Sequence, residues 1–344
     1  MKKFICMIFV ASLFLIGCGD KKNDPNNGKD STDIILDISE EDLPKQIFDL
    51  VYRLNENKKF TYSLKTITKN LQKIVSDTTI SMEINQSVNY TIDVLVKEIG
   101  DDKIAEIEMN IKSVDMLMKS PDGQTVSFNS KKDTSKESQM KFLDFFAMIN
   151  SPFRVRLTTK GEIIEITRVD KILNKMLSLQ NIPDTIAVEQ KNQIVESLKL
   201  GAIKPLVEKL FRELPQEKVG IDSTWQDYLE IGSGQTKPAI TFKIENYEKK
   251  ESEILTKIIA SLSVTLSNPQ DSFTDKGVNY KLSKPKVTGS GSIYFNINKG
   301  LIQKSETTVQ TEQTMTMTPE GQPNSPYKAT RTDKTTNTVI VELL

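Results

Sequence analysis

The sequence predicts an α+β protein: one or more large, curved antiparallel β-sheets with a helical middle segment packed on the sheet. Three observations lead there. Apolar and polar residues alternate over long stretches on both sides of the chain's middle, the period of strands with one covered face. Between about residues 139 and 214 the apolar spacing becomes helical. Turn formers such as Gly100-Asp101-Asp102 and Pro121-Asp122-Gly123 then separate neighbouring strands.

In chain order, Ser39 and the acids Glu40, Glu41 and Asp42 precede Leu43, Ile47, Leu50, Val51 and Leu54. That spacing, with a capping serine and anions at the positive end of the dipole, predicts an amphipathic helix at about 41–57. The first strand block covers residues 60–130. It opens on Phe60, Tyr62 and Leu64, and Ile80, Met82, Ile84, Val88, Tyr90, Ile92, Val94 and Val96 then hold one face over seventeen residues. At about 3.3 Å per residue this stretch extends about 55 Å, longer than an ordinary strand, so it must bend, bulge or break.

The helical insert, 139–214, opens on Met140, Phe142, Leu143, Phe145, Phe146 and Ile149 and ends at Ser151-Pro152. An extended piece follows, with Gly161 at its turn. Helical periodicity returns at Ile172 to Leu177 and again from Val188 to Phe211, where Pro205 kinks or divides the helix. This last stripe is the predicted cover for the long strand face. The second strand block, 235–344, contains the alternations Ile258 to Leu266, Ile293 to Ile297 and Val339 to Leu343. Its threonine-rich stretch from Val309 to Val339 suits an exposed sheet face.

The chain begins with Lys2 and Lys3 and an apolar run from Phe4 to Ile16, too short for the about 20 residues that cross a bilayer. The run closes on Leu15-Ile16-Gly17-Cys18, which resembles the lipobox of bacterial lipoproteins. That resemblance implies a signal peptide at 1–17, diacylglycerol and an acyl chain such as palmitate on Cys18, and a membrane partner reached through that anchor. Residues 18–38 are then the lipidated cysteine and a polar tether, and 39–344 the α+β domain. The expected location is the bacterial cell envelope, outside the cytoplasm, with the outer membrane favoured. More than one inserted chain is needed for stable anchoring.

Composition removes several functions. Basic and acidic residues number 46 each, so no charge excess draws the chain onto nucleic acid. Histidine is absent, and Cys6 and Cys18 are the two cysteines. Serine and cysteine triads and the usual zinc sites therefore lack a required member. No cofactor or metal is expected, and Asp101 with Asp102 and Asp271 with Asp275 read as turns.

Three motifs recur in order: Phe153-Arg154-Val155 with Gly161-Glu162-Ile163; Leu214-Pro215 with Val219-Gly220-Ile221-Asp222-Ser223-Thr224-Trp225; and Gly289-Ser290-Gly291-Ser292-Ile293-Tyr294-Phe295. Together they resemble a family of uncharacterised secreted bacterial lipoproteins, a domain of unknown function, over roughly residues 58–344. The resemblance implies a large curved antiparallel sheet with helices and carries over no catalytic residue.

The expected function is non-catalytic binding by a sheet surface or apolar groove. Its ligand is a lipid or acyl chain if the protein is a carrier, and an envelope protein or polysaccharide if it is an adaptor. The contact candidates are Trp225 with Tyr228 and the cluster Phe142, Phe145 and Phe146. The alternative is a histidine-free hydrolase of envelope or external polysaccharide that uses two converging carboxylates.

Overall fold

A computed structural model of the chain describes residues 36, 38–182, 187–231, 235–265, 272–321 and 328–344, the side chains of 228–231 and 235–239 excepted. The expected signal segment, Cys18 and most of the tether lie outside these residues. Leu36 and Ile38, at the tether's end, already pack against the core.

Fourteen strands form one sheet, and every strand pairing in it is antiparallel. They are β1 (Lys59–Val75), β2 (Thr79–Ile99), β3 (Ala105–Lys119), β4 (Thr125–Asn129), β5 (Phe153–Leu157), β6 (Ile163–Thr167) and β7 (Thr224–Ile231). After these come β8 (Gln235–Lys250), β9 (Glu253–Thr265), β10 (Ser272–Asp275), β11 (Val278–Leu282), β12 (Lys286–Asn296), β13 (Leu301–Pro319) and β14 (Ala329–Leu343). The helices are short: α1 (Lys136–Lys141), α2 (Leu143–Met148), α3 (Asp170–Leu179), α4 (Val188–Leu198) and α5 (Lys204–Leu210). The protein is therefore mostly β rather than the expected α+β mixture. No helix among the described residues is long and apolar enough to cross a membrane.

The strand order is β6-β5-β3-β2-β1-β14-β13-β12-β9-β8-β7, with β4 beside β3 and the β10–β11 hairpin beside β13. Because β1 pairs with β14, the strand blocks before and after the helices are halves of a single sheet. That sheet is curled. Helix α5 touches β14 at the centre and β6 at the edge, five strand spacings or about 24 Å apart in a flat sheet. A seven-residue helix is only about 10 Å long. Only a sheet folded around α5 brings both within its reach, as the accumulated twist of many strands favours. The 21-residue β2 does not break; it bulges against β3 between Thr91 and Ile92 and between Val96 and Glu98.

The expected helix at 41–57 does not form. A single 3-10 turn, Leu43–Lys45, is followed by extended chain in which Phe48, Leu50, Tyr52 and Leu54 are buried. Ile47, on the predicted helical face, is 64% exposed. The true period here is two. The backbone bonds go to distant partners instead of to a helix: Phe48 pairs with Val219, the Tyr52 N–H donates to the Thr159 carbonyl at 2.8 Å, and the Arg53 N–H to Gly300 at 3.2 Å.

The expected cover also differs. Helix α4 has no buried residue, and Val188 is 73% exposed. Burial begins at Ile203 and continues through Leu206, Val207, Leu210 and Phe211. One π-helical turn, Lys199–Ile203, separates α4 from α5, and its wider winding takes the apolar stripe of α4 out of line with that of α5. Helix α2 supplies the rest of the cover, through Phe145, Phe146 and Met148.

Candidate functional site

The strand register arranges the concave face in rows that run across the sheet. The deepest of them, Leu64, Val341, Ser305, Ile293, Ile258 and Ile244, is buried throughout. Next comes Val88, Thr66, Val339, Thr307, Gly291, Ala260 and Phe242, and then Gln86, Thr68, Asn337, Val309, Gly289, Leu262 and Ile240. Farther out the face opens, and Ile80 near the start of β2 is 53% exposed.

Above the two middle rows the helices stand off and leave a cavity of about 650 Å3, inside the ~300–1,000 Å3 range of small-molecule sites. Its wall is mainly apolar, roofed by Phe145, Met148, Pro205 and Leu206 and floored by residues of the two rows. Gly289 and Gly291 keep that floor low. A Cβ on Gly289 would stand 3.0 Å from the Thr308 carbonyl and 3.2 Å from Val309 Cγ2, and one on Gly291 would collide with Thr307 and the Glu306 carbonyl. The glycine-serine repeat noted in the sequence is thus a stretch of β12 that closes on β13 without side chains rising into the hollow.

Threonine divides between the two faces. Thr308 with Thr338 (2.9 Å) and Thr314 with Thr332 (3.3 Å) form cross-strand pairs on the outer face. On the concave side Thr66, Thr68, Thr307, Thr311 and Thr335 line the cavity, whose boundary also takes in Thr308 and Thr338. The expectation of an exposed threonine face accounts for the first set only.

Charge enters from α5 and the residues after it. Glu208, Lys209 and Arg212 all line the cavity. The Arg212 Nη2 donates to Thr307 Oγ1 at 3.2 Å, while its Nε is buried without a partner. Its backbone is held by the Tyr52 hydroxyl, which donates to the Arg212 carbonyl at 2.9 Å, and by the turn at Gly161 packed against the same peptide. Burial lowers the Lys209 pKa, and Arg212 beside it lowers it further. Burial pushes the Glu208 carboxyl up to about 7, against the opposing pull of Lys204, which lies 3.8 Å away. Glu213 is raised as well, by partial loss of water and by the neighbouring Asp227 carboxylate, although its residue is exposed at the surface.

One pH dependence follows. The folded protein keeps a proton on Glu208 between about pH 4.5 and pH 7 that the unfolded chain has released, so this contribution to stability is full below pH 4.5 and is lost as pH rises through 7. Glu208→Gln removes the linkage. Urea titrations are expected to show a smaller loss of stability between pH 5 and pH 8 than in the parent, by on the order of 2 kcal/mol. Identical slopes would place the carboxyl in solvent.

The sequence-derived candidates scatter. Phe145 lines the cavity, with its ring 6.2 Å from that of Tyr90. Phe142 and Phe146 do not line it; they pack on Phe128, at 4.6 Å and 5.2 Å between centroids, as core. Trp225 is half-buried and stacks on Phe242 at 5.4 Å, and its Nε1 finds no acceptor among the described residues. It borders a separate crevice of about 500 Å3 formed by residues 213–219 and 223–227. The Tyr228 side chain and Cys18 lie outside the described residues. Asp102 closes its turn by accepting the Ile104 N–H at 3.0 Å, and Asp275 begins the β10–β11 turn. Sequence reasoning missed Lys209 and Arg212. The one signal was their position: three apart, flanking the buried Leu210 and Phe211, where cations border an apolar stripe rather than stand opposite it.

Fold and cavity together define a mostly β protein whose curled open sheet holds a hollow under short helices. The chain belongs to a family of unknown function, DUF6263, whose profile matches residues 102–302, from the β2–β3 turn to the start of β13 and including Arg212, Trp225 and both floor glycines. No curated protein matches the sequence. Among solved structures, lipovitellin, described for its lipid–protein interactions, is 9% identical with a TM-score of 0.38. The alignment covers 85% of this chain and 25% of that one, so the chain spans about a quarter of lipovitellin's length. A DUF1329 family protein from Desulfovibrio piger is 7% identical over 81% of this chain and 83% of its own, with a TM-score of 0.10. The P. putida toluene transporter TodX is 6% identical over 83% and 89%, with a TM-score of 0.13. Likenesses this distant say nothing about what this chain binds.

Proposed function

We propose that this protein is a lipid-anchored lipoprotein of the bacterial envelope that acts without catalysis, holding an apolar chain such as an acyl group between its concave sheet and α5. The observation that carries the reading is the cavity, which has a mainly apolar wall, a floor left bare by two glycines and a roof that includes Pro205 and Leu206. A hollow whose wall is mainly apolar, with polar groups set along it, is the usual form of a small-molecule site. The test is titration of the purified protein with Nile red, a neutral dye that brightens in apolar surroundings. Saturable binding is expected. Ala260→Phe, which fills the floor, is expected to weaken it by about tenfold through lost volume. A folded protein that binds no dye would leave the adaptor role in front.

The anchor rests on the lipobox and Cys18. Cys18→Ala is expected to leave an unprocessed precursor that takes up no labelled fatty acid; undiminished labelling would end the lipoprotein reading.

A second reading, the carboxylate hydrolase, draws on Glu208 and Glu213, whose carboxyls are both raised above the ordinary value. It is the weaker, because Glu208 opens into the cavity and Glu213 into the crevice beside Trp225. A pair of acids working on one bond has to share a cleft.

A further inference from the structure

The cavity wall is mainly apolar, yet two cations face it with no ion-pair partner among the described residues. Among the described residues, Lys209 makes no hydrogen bond or ion pair, and Arg212 makes one hydrogen bond, to the neutral Thr307 hydroxyl. No carboxylate among those residues stands within ion-pair distance of either; Asp227 and Glu208 act on Arg212, and Glu208 on Lys209, at longer range. The acids nearest by element are already accounted for: Glu208 faces Lys204 at 3.8 Å, and Asp144 sits on the exposed rim of α2. Both side chains are half-buried, and cations partly withdrawn from water without a counter-charge are unfavourable in general, a cost that a bound anion would offset. Arg212 is held in place from three sides. Its carbonyl is fixed by Tyr52, its peptide is pressed by Gly161, and one end of its guanidinium is oriented by Thr307, which leaves Nε–H without an acceptor.

We propose that the ligand is an anionic amphiphile, a single acyl chain ending in a carboxylate or phosphate, with its head group on Arg212 and Lys209 and its chain along the glycine floor toward Val309 and Val339. This rests on the reading of the cavity as an acyl-chain site and adds to it the sign of the head group. Guanidinium and ammonium together suit both oxyanions: the outer end of the guanidinium, beyond the enclosed Nε, offers N–H groups, and the lysine adds a mobile point charge. The proton held by Glu208 near neutral pH fits the same arrangement, since it reduces the one negative charge on α5 that faces the head group.

The test compares cis-parinaric acid with its methyl ester, which has the same fluorescent chain and no charge, on the purified, lipid-stripped protein at pH 7. The acid is expected to bind about tenfold or more tightly than the ester, as charge-assisted hydrogen bonds allow. Lys209→Met and Arg212→Gln are each expected to lower the acid's affinity toward the ester's and to leave the ester's unchanged. If Arg212→Gln does not fold, Lys209→Met decides alone. Displacement of the bound acid by palmitate or by lysophosphatidic acid, whichever is the stronger, identifies the head group as carboxylate or phosphate. Equal affinity for acid and ester, or equal weakening of both in Lys209→Met, overturns the anionic ligand and leaves the apolar cavity standing. Failure of acid, ester and Nile red alike, with the protein folded, removes the cavity reading and this inference with it.

Discussion

Val94→Asp is expected to abolish cooperative folding, whereas Ile80→Asp, on the same strand and the same face, is expected to be nearly silent. Val94 is 1% exposed and pairs across to Phe60 beneath the helical cover; Ile80 is 53% exposed near the open end of β2. An aspartate at position 94 would have to ionise without a partner or remain protonated among aliphatic groups. Either costs about 4–5 kcal/mol, much of the 5–15 kcal/mol by which a domain is stable. At position 80 the carboxylate stays in water, and the change is about 0.5 kcal/mol. Circular dichroism with urea unfolding reads both. If the two variants melt alike, the concave face is not covered unequally along its length, and the cavity has no closed end.

Gly161→Ala is expected to destabilise the protein by about 3 kcal/mol or more, against about 1 kcal/mol for Gly123→Ala. The two glycines have nearly the same backbone conformation, φ +89° and +82°, so the penalty for a side chain in the left-handed region is shared. Their surroundings differ. A Cβ on Gly123 meets nothing within 4 Å, while one on Gly161 runs into the Arg212 carbonyl and the Tyr52 ring. Between those two groups passes the bond from the Tyr52 hydroxyl that holds Arg212, and the adjoining Lys160 carbonyl accepts the Leu214 N–H at 2.8 Å. The excess loss at Gly161 therefore measures how firmly the β5–β6 turn grips the end of α5. Equal losses at the two sites would mean that the turn does not bear on Arg212.

Much of this architecture is legible in the residues alone. Strands announce themselves by a period of two because one face is wet and the other dry, and Ile80 to Val96 displays that over its whole length. The turn at Gly161, the place of Pro205 in the first turn of α5 and the absence of histidine chemistry follow from residue types. Other features do not. Residues 43–54 carry apolar side chains at both helical and alternating spacings, and a local pattern that satisfies two periods is decided by distant partners. Here these are Val219, Thr159 and Gly300, whose backbone groups take the bonds that a helix would have kept.

By itself the sequence determined which side of each strand is apolar, where the chain turns and which chemistries lack their residues, because these depend on side chains within a few positions of one another. Only the tertiary structure decided that both strand blocks join through β1 and β14 into one curled sheet, that α5 rather than α4 covers it, and that Lys209 and Arg212 face the gap beneath. Periodicity says that a face must be covered, but not by what. The cover is a contact between residues tens to more than a hundred positions apart, and a cavity is the place where that contact stops.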